Sequence, residues 1–289
     1  MAKKYGIDIS RYQGQPDFSK VKNDVDYVIL QAGYGKYSSQ KDVTFDRNYA
    51  ECKKYKIPVG VYWYSYARNV TDARLEAQAC MEVIKGKKFE YPIYIDLEED
   101  LASLGRAAVS SIAMAFCQSL EKAGYYAGVY ISRSPAQSYL TTEVTSRYAL
   151  WLAEYGPRLN YTGSVGMWQN SSTGKIAGIS GNVDTDICYV DYPAAVKAAG
   201  LNGYEKPKPT KTLDMTGMKK GDHGRDVLAY KQLLIIAKAK GIVKTSVNND
   251  TGFGDGATKA TNELLKYLGY KENGIAGENL IKKLGGLLK

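Results

Sequence analysis

Acidic residues lie in three short segments whose neighbours are apolar. Asp8 belongs to the first segment, Asp96 and Glu98 to the second, and Asp184 and Asp186 to the third. Two carboxyl groups at the end of one strand repel each other, and partial burial raises the pKa of at least one of them. A protonated acid beside an ionised one is what general acid/base hydrolysis of a glycosidic bond requires. The residues therefore predict carboxylate chemistry, with Asp96 and Glu98 as the sharpest pair.

The spacing of these acids leaves alternatives open. Asp96 and Glu98 are two positions apart, so on a strand they share a face and lie about 6.5–7 Å apart. They could instead form an acidic loop that is solvated or that binds a cation. Asp8 alone could cap a helix or pair with a base at a barrel rim, and Asp184 and Asp186 could form a turn. The pattern does not choose between the last two, which share a face.

Composition excludes several other kinds of chemistry. The single histidine, His223, rules out most Ser-His, Cys-His and histidine-rich metal sites. The four cysteines lack C-x-x-C spacing, so we interpret them as reduced thiols of the core. We therefore expect neither a metal nor a cofactor, and any enzymatic chemistry falls to carboxylates.

Membrane and nucleic-acid functions are also disfavoured. No apolar run approaches the roughly 18–20 residues of a membrane span, so we expect no membrane insertion. The first residues are polar and lack an apolar h-region, which predicts no secretory signal peptide. The net charge of +9 could attract nucleic acid, but no recognition motif accompanies it, so no nucleic-acid partner is expected.

The elements that must position the acids follow from short periodic segments. Eight segments rich in β-branched and aromatic residues predict strands, at 5–10, 27–34, 58–66, 91–98, 125–131, 148–154, 165–170 and 183–189. Amphipathic segments predict helices at 45–55, 71–85, 105–123 and 192–199. This alternation predicts an α/β fold, a (β/α)8-like parallel barrel, whose functional residues meet at the C-terminal ends of the strands. An open doubly wound sheet is the alternative, although no G-x-G-x-x-G motif follows the first strand.

Tyrosine is far more frequent than phenylalanine, at 25 residues against 5. Hydroxylated rings suit surfaces that are flat and wet, as a sugar-binding surface is. Tyr62 and Tyr64 lie near the end of the third predicted strand, and Trp168-Gln169 ends the seventh. Aromatic core packing is the alternative, and we favour it for Trp63 and Trp151.

The chain divides at a stretch that alternates lysine and proline. Such a composition favours an extended, solvated spacer, so 205–212 is predicted to link a catalytic barrel at 1–204 to a small all-α domain at 213–289. Residues 205–289 hold 16 Lys/Arg and 9 Asp/Glu, a net charge of +7, which leaves +2 for the rest. The tail is therefore expected to favour polyanionic surfaces.

Five segments of the larger part occur in the order found in one family. They are Gly6-Ile7-Asp8-Ile9-Ser10-Arg11-Tyr12-Gln13-Gly14, Gly60-Val61-Tyr62-Trp63-Tyr64-Ser65-Tyr66-Ala67, Pro92-Ile93-Tyr94-Ile95-Asp96-Leu97-Glu98, Met167-Trp168-Gln169 and Gly181-Asn182-Val183-Asp184. Residues 1–192 resemble glycoside hydrolase family 25, the Chalaropsis-type lysozymes common as bacteriophage endolysins. The resemblance implies a muramidase that cleaves the β-1,4 bond from N-acetylmuramic acid to N-acetylglucosamine in bacterial peptidoglycan. It also implies synthesis in a host cytoplasm, release through another protein's membrane lesion, and action on the cell wall.

The resemblance assigns roles to individual residues. It implies that Glu98 is the general acid/base and that Asp96 orients or stabilises the reacting sugar, with Asp8 and Asp184 as the other acids of the cleft. It implies that Tyr62 and Trp168 are subsite residues, and we further predict that Tyr64, Gln169 and Asp186 bind substrate. Many members have Asn where this chain has Asp186, a change expected to weaken the binding of anionic substrate or to shift the pH optimum. Non-catalytic binding of wall carbohydrate on a degenerate barrel and a chitinase-like glycosidase remain the alternatives.

The tail resembles a second family. Segments 218–227, 250–254 and 273–277 are similar to the three-helix peptidoglycan-binding domain, which implies wall binding by this part. The sequence predicts that its core consists of Leu228, Leu233, Leu234, Leu264, Leu265 and Leu268. A dimerisation element or a stabilising cap is the alternative.

Overall fold

The structure, a computed structural model, describes residues 3–206 and 212–288. These residues form two compact units, 3–206 and 212–288, each with a hydrophobic core of its own. Residues 207–211 of the predicted linker lie outside the described residues. Within both described ranges, every helix is too short or too polar to cross a bilayer.

Eight strands close into a barrel in the order of the sequence, and each overlaps one of the predicted strands. This confirms the predicted barrel. The strands are β1 Lys4–Ile9, β2 Tyr27–Tyr34, β3 Val59–Tyr64, β4 Ile93–Asp96, β5 Ala127–Ser132, β6 Ala149–Ala153, β7 Met167–Gly174 and β8 Val183–Cys188.

The direction of β8 corrects the prediction of an entirely parallel barrel. The pairs from β1 through β7 are parallel, whereas β8 runs antiparallel to both β7 and β1. Only residues 175–182 connect β7 to β8, and parallel neighbours need a crossover of roughly a dozen residues or more. The start of β8 therefore lies at the rim where β1 ends, and Asp184 pairs there with Asp8.

Helices of very different lengths surround the barrel in residues 3–206. They are α1 Phe18–Val21, α2 Phe45–Lys54, α3 Val70–Ile84, α4 Leu101–Leu104, α5 Arg106–Lys122, α6 Arg133–Tyr139, α7 Thr142–Arg147 and α8 Tyr192–Ala199. The four predicted helices are confirmed as α2, α3, α5 and α8, to within one residue at each end. The other four span seven residues or fewer, too short to show a helical period in the sequence.

Alternate residues of the strands serve two different cores. Ile93 and Ile95 face outward and join an aliphatic core that also contains residues of α3 and α5. Tyr94, from the opposite face of the same strand, joins an interior cluster rich in aromatic rings. Burial of one such side chain contributes about 1.5–3 kcal/mol, so the two-residue alternation decides which side of each strand faces the barrel axis.

Interior tyrosines explain part of the tyrosine excess. Tyr27, Tyr91, Tyr94 and Tyr192 are at most 2% exposed, so these rings fill the barrel instead of forming a wet surface. Tyr94 lies opposite Gly128 in the β4–β5 register, and a Cβ atom added at Gly128 would lie 2.4 Å from the Tyr94 ring. The glycine thus provides the space that the ring occupies.

The second unit contains three helices, α9 Arg225–Ala239, α10 Asp255–Tyr267 and α11 Glu278–Leu288. Of the predicted core residues, Leu234, Leu264 and Leu265 are buried, and Leu233 and Leu268 are partly buried against the same cluster. Leu228 lies outside the cluster, and that prediction was wrong. The buried face of α9 begins at the preceding residue, Val227, and continues at helical spacing.

We predict that Gly128→Ala lowers the free energy of unfolding of the barrel by about 1–3 kcal/mol, because the added methyl group collides with the Tyr94 ring. Thermal unfolding measures the change. The same substitution in a Tyr94→Leu background is expected to cost less, since the smaller side chain leaves room. An equal cost in both backgrounds would contradict this contact.

Candidate functional site

All four acids predicted to be catalytic line one cleft at the barrel rim. They are Asp8, Asp96, Glu98 and Asp184, and the cleft has a volume of about 240 Å³. Among the described residues that line this cleft there is no lysine or arginine. The acids therefore lower one another's tendency to ionise, with no cation in the wall to offset the repulsion.

Asp8 lies near the end of β1 and is 7% exposed. Gln169, from β7, donates a hydrogen bond from Nε2 to Asp8 Oδ2 at 2.8 Å. Burial raises the pKa of Asp8 well above its ordinary value, the charges of Asp186 and Asp184 raise it further, and the Gln169 bond acts against them. Asp8 is consequently held in position by a neutral amide in an environment that disfavours its charge.

The Gln169 amide is itself fixed by two tyrosines. Its Oε1 accepts hydrogen bonds from the hydroxyl groups of Tyr130 at 2.8 Å and Tyr155 at 3.2 Å. The amide oxygen is saturated by these donors, which leaves Nε2 to face Asp8. Gln169, predicted as a substrate-binding residue, thus contributes to the cleft wall and also orients Asp8.

Asp96 and Glu98 provide the two contrasting acids of the cleft. Asp96 ends β4, is 4% exposed, and has an Oδ1 atom with no hydrogen-bond partner among the described residues. Burial raises its pKa well above the ordinary value, and the charge of Glu98 raises it further. Glu98 lies two residues on, in the loop after the strand, where its side chain is exposed to solvent.

The pKa of Glu98 is also raised, although its side chain is open to the cleft. Protein on the surrounding sides removes part of its hydration, which is the largest effect, while the Tyr130 hydroxyl lowers the pKa and the charges of Asp184 and Glu99 raise it. Asp184 is half-buried at the start of β8, and its loss of hydration raises its pKa as well. A solvent-facing acid with a raised pKa beside a buried one can exchange protons with a ligand in the cleft.

Aromatic side chains flank the acids. Tyr62 and Tyr64, both predicted, are half-buried and line the cleft. Tyr12 and Tyr155, which sequence reasoning missed, also line it and are 79% and 59% exposed. Exposed rings at a cleft provide the apolar faces that sugars stack on.

Trp151 and Tyr130 are further members of the cleft that sequence reasoning missed. Trp151 is 1% exposed, yet its ring lines the cleft and stands at 6.0 Å from the Tyr62 ring, centroid to centroid. Each of the two residues stands two positions before the end of a strand, on the inward face. That position was the signal available in the sequence. The prediction of core packing is confirmed for Trp63 and Trp151, and the Trp151 ring also borders the cleft.

Two predicted substrate-binding residues lie away from the cleft surface. Trp168 alternates with Gln169 on β7 and points to the other side of the strand, where its Nε1 donates to the Glu154 carbonyl oxygen at 2.7 Å. Asp186 is 1% exposed and lies beneath the cleft. Neither residue is among the lining residues, so direct contact with a ligand there does not fit their positions.

Metal binding finds no support in the geometry of the described ranges, where no group of three or more His, Cys, Asp and Glu side chains converges to hold an ion. The absence of metal and cofactor stays a prediction. All four cysteines are buried and unpaired, as expected for core thiols.

The chain is similar to several known proteins. A family model described as glycosyl hydrolases family 25 matches residues 7–179. The autolytic lysozyme of Clostridium acetobutylicum is 31% identical over 185 residues, which cover 63% of this chain and 54% of that protein. Among solved structures, the modular autolysin LytC from Streptococcus pneumoniae in complex with a synthetic peptidoglycan ligand is 32% identical, with a TM-score of 0.58, over 65% of this chain and 47% of that one.

The catalytic domain of endolysin ply40, from bacteriophage P40 of Listeria monocytogenes, shares the fold at 22% identity and a TM-score of 0.58, over 68% of this chain and 97% of that one. The chain spans about half the length of the Clostridium and Streptococcus proteins. Because the family model matches more than half of the 289 residues, from within β1 to beyond the end of β7, the chain belongs to glycosyl hydrolases family 25.

Proposed function

We propose that the protein is a muramidase that hydrolyses the β-1,4 bond between N-acetylmuramic acid and N-acetylglucosamine in bacterial peptidoglycan. The observation that carries the proposal is the contrast between neighbouring acids, a buried Asp96 and a solvent-facing Glu98, both with raised pKa values. Glycosidases of this class need one acid that donates a proton and one that supports the reacting sugar. The lysozyme and autolysin relatives support peptidoglycan as the substrate.

Glu98 is the general acid/base in this proposal. Its side chain is accessible, so it can reach a glycosidic oxygen, and its raised pKa retains the proton closer to neutral pH than an ordinary glutamate does. Proton transfer to the leaving oxygen lowers the barrier to cleavage. In the second half of the reaction the same carboxylate accepts a proton from the attacking water and so acts as the general base.

Asp96 is the partner that stabilises or orients the reacting sugar. In the free protein its burial disfavours the ionised form. A sugar ring that develops positive charge beside it favours that form again, because an opposite charge nearby lowers the pKa of a carboxyl group. The interaction is therefore stronger in the transition state than with the substrate, which is the condition for catalysis.

Asp8 and Asp184 complete the acidic floor, and the tyrosines provide the flat surfaces. Tyr62 and Tyr64 line the cleft next to the acids, and Tyr155 lines it with a largely exposed ring. Stacking of sugar C–H faces on such rings orients the chain before proton transfer. A cleft that combines acids with flat aromatic surfaces favours a polymeric carbohydrate over a small acid as the ligand.

The second unit is proposed to hold the enzyme on the wall. It has a core of its own, and residues 205–289 carry a net charge of +7, which suits a polyanionic surface. It also contains a cavity of about 450 Å³ lined in part by Lys220, His223 and Lys231. A tether of this kind raises the local substrate concentration without altering the cleft.

We predict that Glu98→Gln reduces peptidoglycan hydrolysis by about 10²–10⁴-fold, because the variant keeps the shape of the side chain but cannot donate the proton. Turbidity loss of purified cell walls measures the rate. Glu82→Gln is the matched control: Glu82 is an exposed glutamate of α3, does not line the cleft, and is expected to stay near wild-type activity.

Reducing-end analysis of the digest separates the alternatives. New N-acetylmuramic acid ends support the muramidase, whereas N-acetylglucosamine ends contradict it and favour a chitinase-like specificity. Wall binding with no hydrolysis by the wild type would indicate a non-catalytic carbohydrate-binding protein. Wild-type turnover by Glu98→Gln would refute the assignment of the general acid.

We predict that Asp96→Asn raises the thermal midpoint at neutral pH while it reduces hydrolysis by about 10²-fold or more. Because the pKa of Asp96 is raised in the folded protein, the wild type loses stability as pH rises from the ordinary carboxyl range through the folded pKa. Asn is neutral at every pH, so the variant does not undergo this loss. Thermal unfolding across pH measures it. The gain should vanish below about pH 3, where the wild-type residue is protonated in both states, and a gain that persists there would contradict the cause.

We predict that a variant ending at residue 206 loses about tenfold or more of its binding to whole walls, because the second binding contact is gone. Hydrolysis of soluble glycan fragments should change much less, since the cleft lies within residues 3–206. Sedimentation with walls and fragment turnover measure the two quantities. Equal loss of both would show that the second unit has a structural role.

A further inference from the structure

Asp186 is a buried acid that the proposed mechanism does not use. It lies on the inward face of β8, is 1% exposed, and stands opposite Gly6 in the β1–β8 register. Asp8 is two residues from Gly6, and so occupies the diagonal neighbour position of Asp186 on the same face. The Tyr27 ring fills the space beside Gly6, 2.4 Å from where a Cβ atom would stand.

The hydrogen bonds around Asp186 leave one of its oxygens for Asp8. Trp151 donates from Nε1 to Asp186 Oδ1 at 2.7 Å. Asp186 Oδ2 is buried and has no donor among the described residues, and Asp8 is its diagonal neighbour on the same face of the β1–β8 pair. Two carboxylates in contact repel, whereas a carboxyl and a carboxylate that share a proton form a strong hydrogen bond. The orphaned oxygen is explained if a proton lies between the two groups.

The surroundings of the pair provide no compensating positive charge. The titratable groups that face it are Tyr27 from β2, Tyr62 from β3, Asp96 from β4, Tyr130 from β5, and Asp184 and Cys188 from β8. β6 and β7 present the neutral donors of Trp151 and Gln169. Every group that faces the pair is therefore neutral or acidic, so retention of a proton is the way to relieve the repulsion.

We propose that Asp8 and Asp186 share a single proton, and that Asp186 is a positioning residue that holds Asp8 at the floor of the cleft. Loss of this proton on the alkaline side separates the two carboxylates and displaces Asp8. The expected effect of Asp186 on activity rests on the muramidase function proposed above, whereas the existence of the shared proton does not depend on that function. Burial raises the pKa of Asp186 to about 8, with the Asp184 charge adding to it and the Trp151 bond opposing it.

Thermal unfolding across pH tests the proton without any substrate. Between about pH 4 and about pH 8 the folded pair holds a proton that the unfolded chain has released, so wild-type stability falls as pH rises through this window. One extra proton changes the unfolding constant by up to about tenfold per pH unit. Asp186→Asn, which donates permanently, is expected to flatten this slope. Asp191→Asn is the matched control, an exposed aspartate that follows the same strand and whose helix-capping role Asn fulfils equally well.

The pH profile of hydrolysis tests the positioning role. We expect kcat of the wild type to fall severalfold between about pH 7 and about pH 9 with little change in KM, because Asp186 does not contact substrate. In Asp186→Asn this alkaline fall should be reduced to the part that deprotonation of Glu98 causes, whereas Asp191→Asn should retain it in full. A wild-type slope of stability in Asp186→Asn would overturn the shared proton, and an unchanged alkaline fall would overturn the positioning role.

If Asp186→Asn fails to fold, infrared spectra of the wild type decide the matter. A protonated-carboxyl band that disappears between about pH 7 and about pH 9 supports the shared proton, and a folded protein with no such loss overturns it. Because the stability and infrared measurements need no turnover, an inactive wild type would refute the muramidase proposal while leaving the proton testable.

Discussion

Repulsion among carboxyl groups is the constraint on which the site depends. Asp8, Asp96, Glu98 and Asp184 line one cleft without a lysine or arginine among its described lining residues, and Asp186 lies just beneath. Isolated in water these groups would all ionise near neutral pH, but burial and mutual repulsion raise their pKa values. The site therefore keeps protons that an exposed cluster of acids would lose. Proton transfer is the chemistry that such a site can perform.

The barrel tolerates the free-energy cost of burying these acids because its hydrophobic cores lie away from the cleft. Aliphatic residues of the outward strand faces pack with the helices, and aromatic rings fill the interior below the rim. Neutral donors then fix the acids individually: Gln169 holds Asp8, and Trp151 holds Asp186. Local destabilisation of this kind, supported by a well-packed scaffold, is typical of functional sites.

The roles proposed for the two units separate attachment from chemistry. Its cavity of about 450 Å³ exceeds the cleft in volume, yet Lys231 pairs with Asp250 and Lys220 with Asp255, so its lining charges are largely balanced. The smaller cleft holds uncompensated acids. The character of the lining groups, rather than the size of the cavity, therefore favours the cleft as the candidate site of chemistry. The positive charge of the tail suits long-range attraction to a wall, which needs no precise geometry.

The sequence alone determined the strand and helix positions, because two-residue and helical periodicities are local properties of the chain. It also determined which acids could do chemistry, since Asp8, Asp96, Glu98 and Asp184 stand at the ends of those segments. Tertiary structure decided the rest. The short connection 175–182 reverses β8, the alternation on β7 turns Trp168 away, and burial under the cleft separates Asp186 from Asp184. The positions of Trp151 and Tyr130 in the cleft depend on closure of the barrel. Distances between residues far apart in the chain are set by strand register and barrel closure, not by the local sequence pattern.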